Sequence, residues 1–227
     1  MRVLSRAYTR PARRTSVPAR LAAAVAAISL ASAACGEAPA DDRPAAAESS
    51  SPSGNFVRLD RPLAKPGLTL TDDRGRPFDL TNRTAGKPML MYFGYTHCPD
   101  VCPTTMADIA NAVKKLPEPD RERLRVVFVT TDPERDTPKR LNTWLAAFDP
   151  RFIGLTGDFD KIQKAARSVG ISVDAPVKED DGSVTVNHGA QVLAFSPADD
   201  SVHTVYTSGA TAKEFDATLP ELVKGAK

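Results

Sequence analysis

Apolar positions along this chain follow two rhythms. Met89–Tyr95 and Leu124–Thr131 are nearly unbroken apolar runs, each flanked by polar or turn residues, as in strands covered on both faces of a sheet. Between them Met106, Ile109, Ala110, Val113 and Leu116 recur at helical spacing, which predicts a helix over about 103–116. Thr137 followed by Pro138 marks a second helix start, with an N-cap and then proline at the first helical position; this helix carries Leu141, Trp144, Leu145 and Phe148. Asp158 is placed to cap a third helix that ends at Gly170. Upstream, Leu68–Thr71 and Pro77–Leu80 flank Asp73, Arg74 and Gly75, a hairpin signal. Downstream, Ala190–Ser196 and Ser201–Thr207 read as two strands, and Thr211 with Glu214 forms a capping box that opens a last helix to about Lys224.

The order is a hairpin, then β-α-β-α-(β)-α, then β-β-α. Strands alternating with helices predict an α/β domain, a central mixed sheet with helices on both faces. A β-α-β half followed by a β-β-α half is the thioredoxin-like arrangement, here with an N-terminal hairpin extension. The domain is expected to run from Arg61 to the end.

Ahead of it, the pattern changes. Residues 1–34 hold six arginines and no acidic residue, and end in fourteen small or apolar residues, Leu21–Ala34. Fourteen are too few to span a bilayer, which takes about 20. Positive, apolar and small-residue zones in that order form a secretory signal. Cys35 directly after it is the expected lipidation site of a bacterial lipoprotein, with an uncleaved anchor as the alternative. Arg13-Arg14 also permits a twin-arginine reading, although no Phe or Leu follows at the expected place. Residues 35–60, rich in Ala, Pro, Ser, Asp and Glu, are expected to be a disordered tether. Localisation follows: exported, and held by lipid on the outer face of the cytoplasmic membrane. Removing the six leader arginines from 30 basic residues leaves 24 against 28 acidic ones. The basic balance therefore belongs to the leader, and nucleic acid is not an expected partner.

With Cys35 assigned to the leader, two cysteines remain, Cys98 and Cys102. One pair in a domain of this size is not a disulfide framework. They lie between the first buried strand and the first helix, where α/β proteins gather ligands and where a helix N-terminus favours a thiolate. Redox thioredoxins space their cysteines C-x-x-C; here the spacing is C-x-x-x-C. Residues i and i+4 share one helix face with Cβ atoms about 5–6 Å apart, so both sulfurs can converge on one ion. Thiolates with imidazole suit Cu(I), Cu(II) or zinc. The plain alternative is a structural disulfide or two inert thiols.

A third donor is needed, and three histidines are available. His188 precedes the strand at 190–196, on the loop that faces the active-site cysteines in a thioredoxin-like fold. Thioredoxins place a cis-proline there to dock peptides, whereas the segment from Val177 to Ser196 contains no proline. A metal donor in place of a docking element favours metal binding over dithiol exchange. His97 points away from its neighbour Cys98 on a helical turn and reads as an orienting or packing residue, and His203 as a half-exposed strand residue. Met89, Met91 and Met106 are copper donors by chemistry but sit where core residues belong.

These residues resemble the Sco/SenC family. The resemblance is carried by Gly94-Tyr95-Thr96-His97-Cys98-Pro99-Asp100-Val101-Cys102-Pro103, by Asp132-Pro133-Glu134-Arg135-Asp136-Thr137-Pro138, by His188 ahead of the last hairpin, and by the N-terminal anchor. It implies a thioredoxin-like fold and one copper ion, Cu(I) or Cu(II), held by Cys98, Cys102 and His188. It also implies a role in assembling the binuclear copper site of cytochrome c oxidase. The expected partners are the copper-bearing oxidase subunit, a second copper chaperone or a thiol reductant, and the membrane through the lipid anchor. Two activities compete: a metallochaperone, and a thiol–disulfide oxidoreductase that keeps the oxidase cysteines reduced, for which Cys98 and Cys102 would be the redox pair. A peroxidase is a poor third, since no Pro-x-x-x-Thr/Ser-x-x-Cys pattern leads to Cys98. The acidic box has a plain role as well: Pro133 ends a strand, Asp136 or Thr137 caps the next helix, and Arg135 is free to pair with an acid near the site.

Overall fold

The two apolar runs form neighbouring parallel strands at the middle of an eight-stranded sheet in a computed structural model that describes residues 54–225. They are β4 (Met89–Gly94) and β5 (Arg125–Thr130), with β6 (Ile153–Thr156) parallel beyond β5. Antiparallel neighbours complete the sheet: β1 (Phe56–Ala64), β2 (Thr69–Asp72), β3 (Pro77–Asp79), β9 (Val192–Phe195) and β10 (Ser201–Tyr206). The spatial order is β1-β10-β9-β4-β5-β6-β2-β3. The fold is thus α/β and thioredoxin-like.

Side chains of β4 alternate between two cores, which is why the run reads as continuously apolar. Leu90 and Tyr92 face one core, built with Met106, Ile109 and Val113 of α2 (Val101–Lys115), Leu141 and Leu145 of α4 (Pro138–Ala146), and Phe215 and Leu219 of α6 (Ala212–Val223). Met89, Met91 and Phe93 face the other, against Ile162 and Ala165 of α5 (Phe159–Ser168). Each fully buried side chain of this size contributes about 1.5–3 kcal/mol. Met89, Met91 and Met106 are core residues with no exposed surface.

The helix starts form as the caps dictate. Thr137 Oγ1 accepts from the Arg140 amide at 3.3 Å, Asp158 Oδ1 accepts from the Lys161 amide at 3.0 Å, and the Glu214 carboxylate accepts from the Thr211 amide at 2.9 Å. Helix α2 starts at Val101, two residues before the expected start near 103, so Cys102 lies in its first turn, where Pro103 needs no hydrogen-bond partner.

Several elements depart from expectation. Strand β1 begins at Phe56, inside the stretch expected as tether. It is an edge strand with a register shift between Arg58 and Leu63, and only Phe56, Leu59 and Leu63 lean on the core, so its apolar signal is sparse. Lys65, whose side chain is covered, fastens its far end by bonding Asp200 at 2.6 Å and the Thr84 carbonyl at 2.9 Å. The short helices α1 (Leu80–Arg83) and α3 (Glu118–Arg123) and the hairpin β7 (Val177–Lys178) and β8 (Val184–Thr185) bury too little to leave a period. The leader, Cys35 and the tether up to residue 53 lie outside the described residues. Among those described, no helix is long and apolar enough to cross a membrane.

Asp136 does not cap α4; Thr137 does. The Asp136 carboxylate is fully buried and accepts from the Thr96 amide at 2.9 Å, the Thr96 hydroxyl at 2.6 Å and the Thr130 hydroxyl at 2.7 Å. It clamps the loop after β4 to the loop after β5. Replacing Asp136 with Ala leaves those donors without an acceptor and is expected to cost about 3 kcal/mol in urea unfolding at unchanged m-value. Thr137→Ala, which removes only a cap, is expected to cost about 1 kcal/mol. Equal losses would reduce Asp136 to an ordinary helix-flanking residue.

Candidate metal centre

Strand β4 ends at Gly94, and the chain then turns through Tyr95–Asp100 into α2. The turn is closed by the Cys98 amide donating to the Tyr95 carbonyl at 3.2 Å. The Cys102 amide, in the first turn of α2, donates to Cys98 Sγ at 3.4 Å. Both cysteines are free thiols: Cys98 is half-buried and Cys102 has no exposed surface.

The Cys102 sulfur occupies room that Gly94 leaves. A Cβ at Gly94 would stand 3.0 Å from Cys102 Sγ, 2.9 Å from the Tyr92 ring and 3.0 Å from the Phe128 ring. The backbone at Gly94 is ordinary; space is what requires glycine there. The Tyr92 hydroxyl donates to Cys102 Sγ at 3.5 Å. Burial pushes the Cys102 thiol up to about 12, only partly offset by the Tyr92 hydrogen bond.

His188 reaches the same sulfur from the segment ahead of β9. A bridge to Val173 and bonds from the Gly189 amide to the Ser172 carbonyl (2.8 Å) and from the Asp174 amide to the Asn187 carbonyl (2.9 Å) hold that segment. The ring stands edge-on to Tyr92 at 6.1 Å and to Tyr95 at 5.8 Å. Its Nδ1 lies 3.0 Å from the Gly189 carbonyl, which only accepts, so Nδ1 carries the proton and Nε2 keeps a lone pair. Nε2 stands 3.7 Å from Cys102 Sγ. Burial pushes the His188 imidazole below its ordinary value, which favours the neutral, ligating form.

The structure thus brings Cys98, Cys102 and His188 together at the carboxyl end of the central strands. They meet in pairs, Cys98 with Cys102 and Cys102 with His188. Among the described residues no three His, Cys, Asp or Glu side chains already form a metal cluster. Two sulfurs and one unprotonated imidazole nitrogen nevertheless form a donor set suited to a soft ion. A cleft of about 270 Å³, lined by Tyr95, Cys98, Pro99, Val101, Val186 and His188 among others, opens it to solvent. A larger depression of about 480 Å³, between Pro66–Thr69 and α5, is lined by no sulfur or imidazole.

The remaining candidates fall elsewhere. His97 is exposed and turns Nδ1 to the Thr96 hydroxyl at 3.3 Å and to Asp136 at 3.5 Å, an orienting position. His203 bonds Asp199 across the β9–β10 turn at 2.9 Å. Arg135 pairs with buried Asp132. Sequence reasoning missed Tyr92, Gly94 and the clamp of Thr96, Thr130 and Asp136. A glycine inside an apolar strand run was the available signal, since it marks close approach of another group.

Comparison with known proteins extends this picture. The SCO1/SenC family model matches residues 60–224. A Stutzerimonas stutzeri protein named for copper binding is 36% identical over 143 residues, 63% of this chain and 69% of that protein. The mitochondrial SCO2 homologue of Mus musculus is 35% identical over 140 residues, 61% of this chain; the match spans only about half of that protein, 54%. The structure of Bradyrhizobium japonicum ScoI with copper bound is 33% identical, with a TM-score of 0.60 over 71% of this chain and 98% of that one. The chain belongs to the SCO1/SenC family.

Proposed function

We propose that this chain is a copper metallochaperone. It binds one copper ion through Cys98, Cys102 and His188 and delivers it to the subunit of cytochrome c oxidase that carries the binuclear copper site. Proteins of the Sco family are copper-binding cytochrome c oxidase assembly proteins, which supports the cargo and the destination. The observation that carries the reading is the unprotonated Nε2 of His188 facing Cys102 Sγ at 3.7 Å. Thiol–disulfide exchange does not require an imidazole there, whereas a two-thiolate copper site needs a third donor. The burial of Cys102 points the same way, since a thiol held up to about 12 is a poor nucleophile at neutral pH yet ionises when a metal displaces its proton.

The protein works, in this proposal, on the outer face of the bacterial cytoplasmic membrane, held by a lipid on Cys35. The support is the order of zones in residues 1–34. Mass spectrometry of the membrane fraction is expected to find a mature chain that starts at lipidated Cys35. A soluble chain starting at Gly36, or a retained leader, contradicts the anchor.

Proton release gives the site a pH dependence. Across neutral pH the Cys102 thiol binds its proton, held there by burial, and copper must expel it. Apparent copper affinity is therefore expected to rise with pH by about tenfold per unit for each proton released. His188, shifted downward, adds nothing above neutrality and competes with protons only in acid. Competition titrations at two pH values on either side of neutrality check the slope, and a flat profile would exclude Cys102 as a ligand.

The His188→Ala protein separates chaperone from reductase. Loss of one of three donors is expected to weaken copper binding by about 10–100-fold or more while leaving both thiols. Exchange with a small disulfide depends on the thiolate fraction and on access, and is expected to change little. A His188→Ala strain should lose cytochrome c oxidase activity at low copper, with Cys98→Ala as the control that fails under either activity. Normal oxidase activity in the His188→Ala strain at low copper would reject the metallochaperone in favour of the oxidoreductase.

A further inference from the structure

Tyr92 lies two residues before Gly94, on the same face of β4, so its ring runs beneath α2. The ring is buried, 6.0 Å from Phe128 and edge-on to His188 at 6.1 Å. A buried phenol needs a partner for its hydroxyl. Here the hydroxyl donates to Cys102 Sγ at 3.5 Å. A position that needed only bulk would be served by phenylalanine, as at neighbouring Phe93 and facing Phe128.

We propose that Tyr92 is a positioning residue that sets the electron density on the Cys102 sulfur and thereby biases bound copper toward Cu(I). This rests on the copper reading given above. A thiolate keeps more of its negative charge on Cu(I) than on Cu(II), because the divalent ion draws more of it into the bond. A hydrogen bond donated to sulfur strengthens with the charge the sulfur keeps. The Tyr92 donor therefore stabilises the reduced site more than the oxidised one, the way hydrogen bonds around a cysteine sulfur tune other copper centres. No water takes the donor's place, because Cys102 has no exposed surface. The same ring also braces His188, so two of the three donors lean on one side chain.

The test compares the lipid-free mature protein with Tyr92→Phe and with 3-fluorotyrosine incorporated in place of Tyr92. Phenylalanine keeps the ring and deletes the donor; the fluorinated phenol keeps the size and strengthens the donor. Each protein is loaded with one equivalent of copper, its sulfur ligation is checked by X-ray absorption, and its Cu(II)/Cu(I) potential is measured. Tyr92→Phe is expected to bind one copper on sulfur with the ratio of Cu(I) to Cu(II) affinity lowered about tenfold, about 59 mV for a one-electron couple. The fluorotyrosine protein is expected to shift in the opposite direction. Intact copper–sulfur ligation at an unchanged potential, or both variants moving the same way, overturns this inference alone. Should Tyr92→Phe fail to fold, the direction of the fluorotyrosine shift still decides. A wild-type protein that takes up no copper on sulfur overturns the proposed function and this inference with it.

Discussion

A sulfur atom held without water at the end of a central strand is the constraint on which the rest of this site depends. Cys102 Sγ fits because Gly94 offers no side chain, because the Tyr92 and Phe128 rings wall the space, and because the first turn of α2 delivers the cysteine from above. Burial then makes the thiol reluctant to ionise. A reluctant thiol presents little thiolate at neutral pH yet remains a ligand for any ion that binds sulfur strongly enough to displace its proton. Its partner Cys98, half-buried four residues earlier, accepts a helix amide and borders the open cleft. One site therefore holds two thiols of different character, one deep and one accessible.

Such a site needs a fixed loop, and the loop takes its rigidity from the next β-α connection. The buried Asp136 carboxylate receives donors from Thr96 and Thr130, at the ends of the two parallel strands, and Arg140 of α4 donates to the Thr96 hydroxyl at 2.9 Å. Parallel strands place their carboxyl ends side by side, so a carboxylate after one reaches the loop after the other. The Thr131 amide adds a backbone bond to the Gly94 carbonyl at 2.7 Å. The acidic box following β5 is thus part of the scaffold of the cysteine loop, although it contributes no metal donor.

What the sequence made legible follows from how much each element buries. Strands β4 and β5 and helices α2, α4, α5 and α6 fill two cores and left clear periods or caps. Strand β1 buries three residues only partly and its segment read as tether; α3 buries none. That Cys98, Cys102 and His188 lie near one another was readable because few residue types bind soft metals and the chain is poor in them. Tyr92 and Asp136 were not, since a tyrosine in an apolar strand and an aspartate before a helix each have a commoner explanation. Only the three-dimensional register of β4, β5 and α2 reveals which sulfur and which amides they meet.

The thioredoxin-like scaffold also bears on how a cargo ion would leave. Cys98 and Cys102 ride on the β4–α2 connection, whereas His188 belongs to a separate segment ahead of β9, held by backbone bonds to residues 172–174. Thioredoxins use that second segment to dock a peptide; here it carries an imidazole beside the same cleft. Cys98 and His188 line the cleft, and Cys102 does not. On the proposed reading, donors of the receiving subunit therefore meet copper from the side of Cys98 and His188 and replace these ligands first. Cys102 lets go last, and its high proton affinity then assists release, because the departing ion leaves behind a buried thiolate that readily takes a proton. On that reading, the burial that opposes ionisation as copper enters also lowers the cost of surrendering it, a balance suited to a carrier rather than to a permanent metal store.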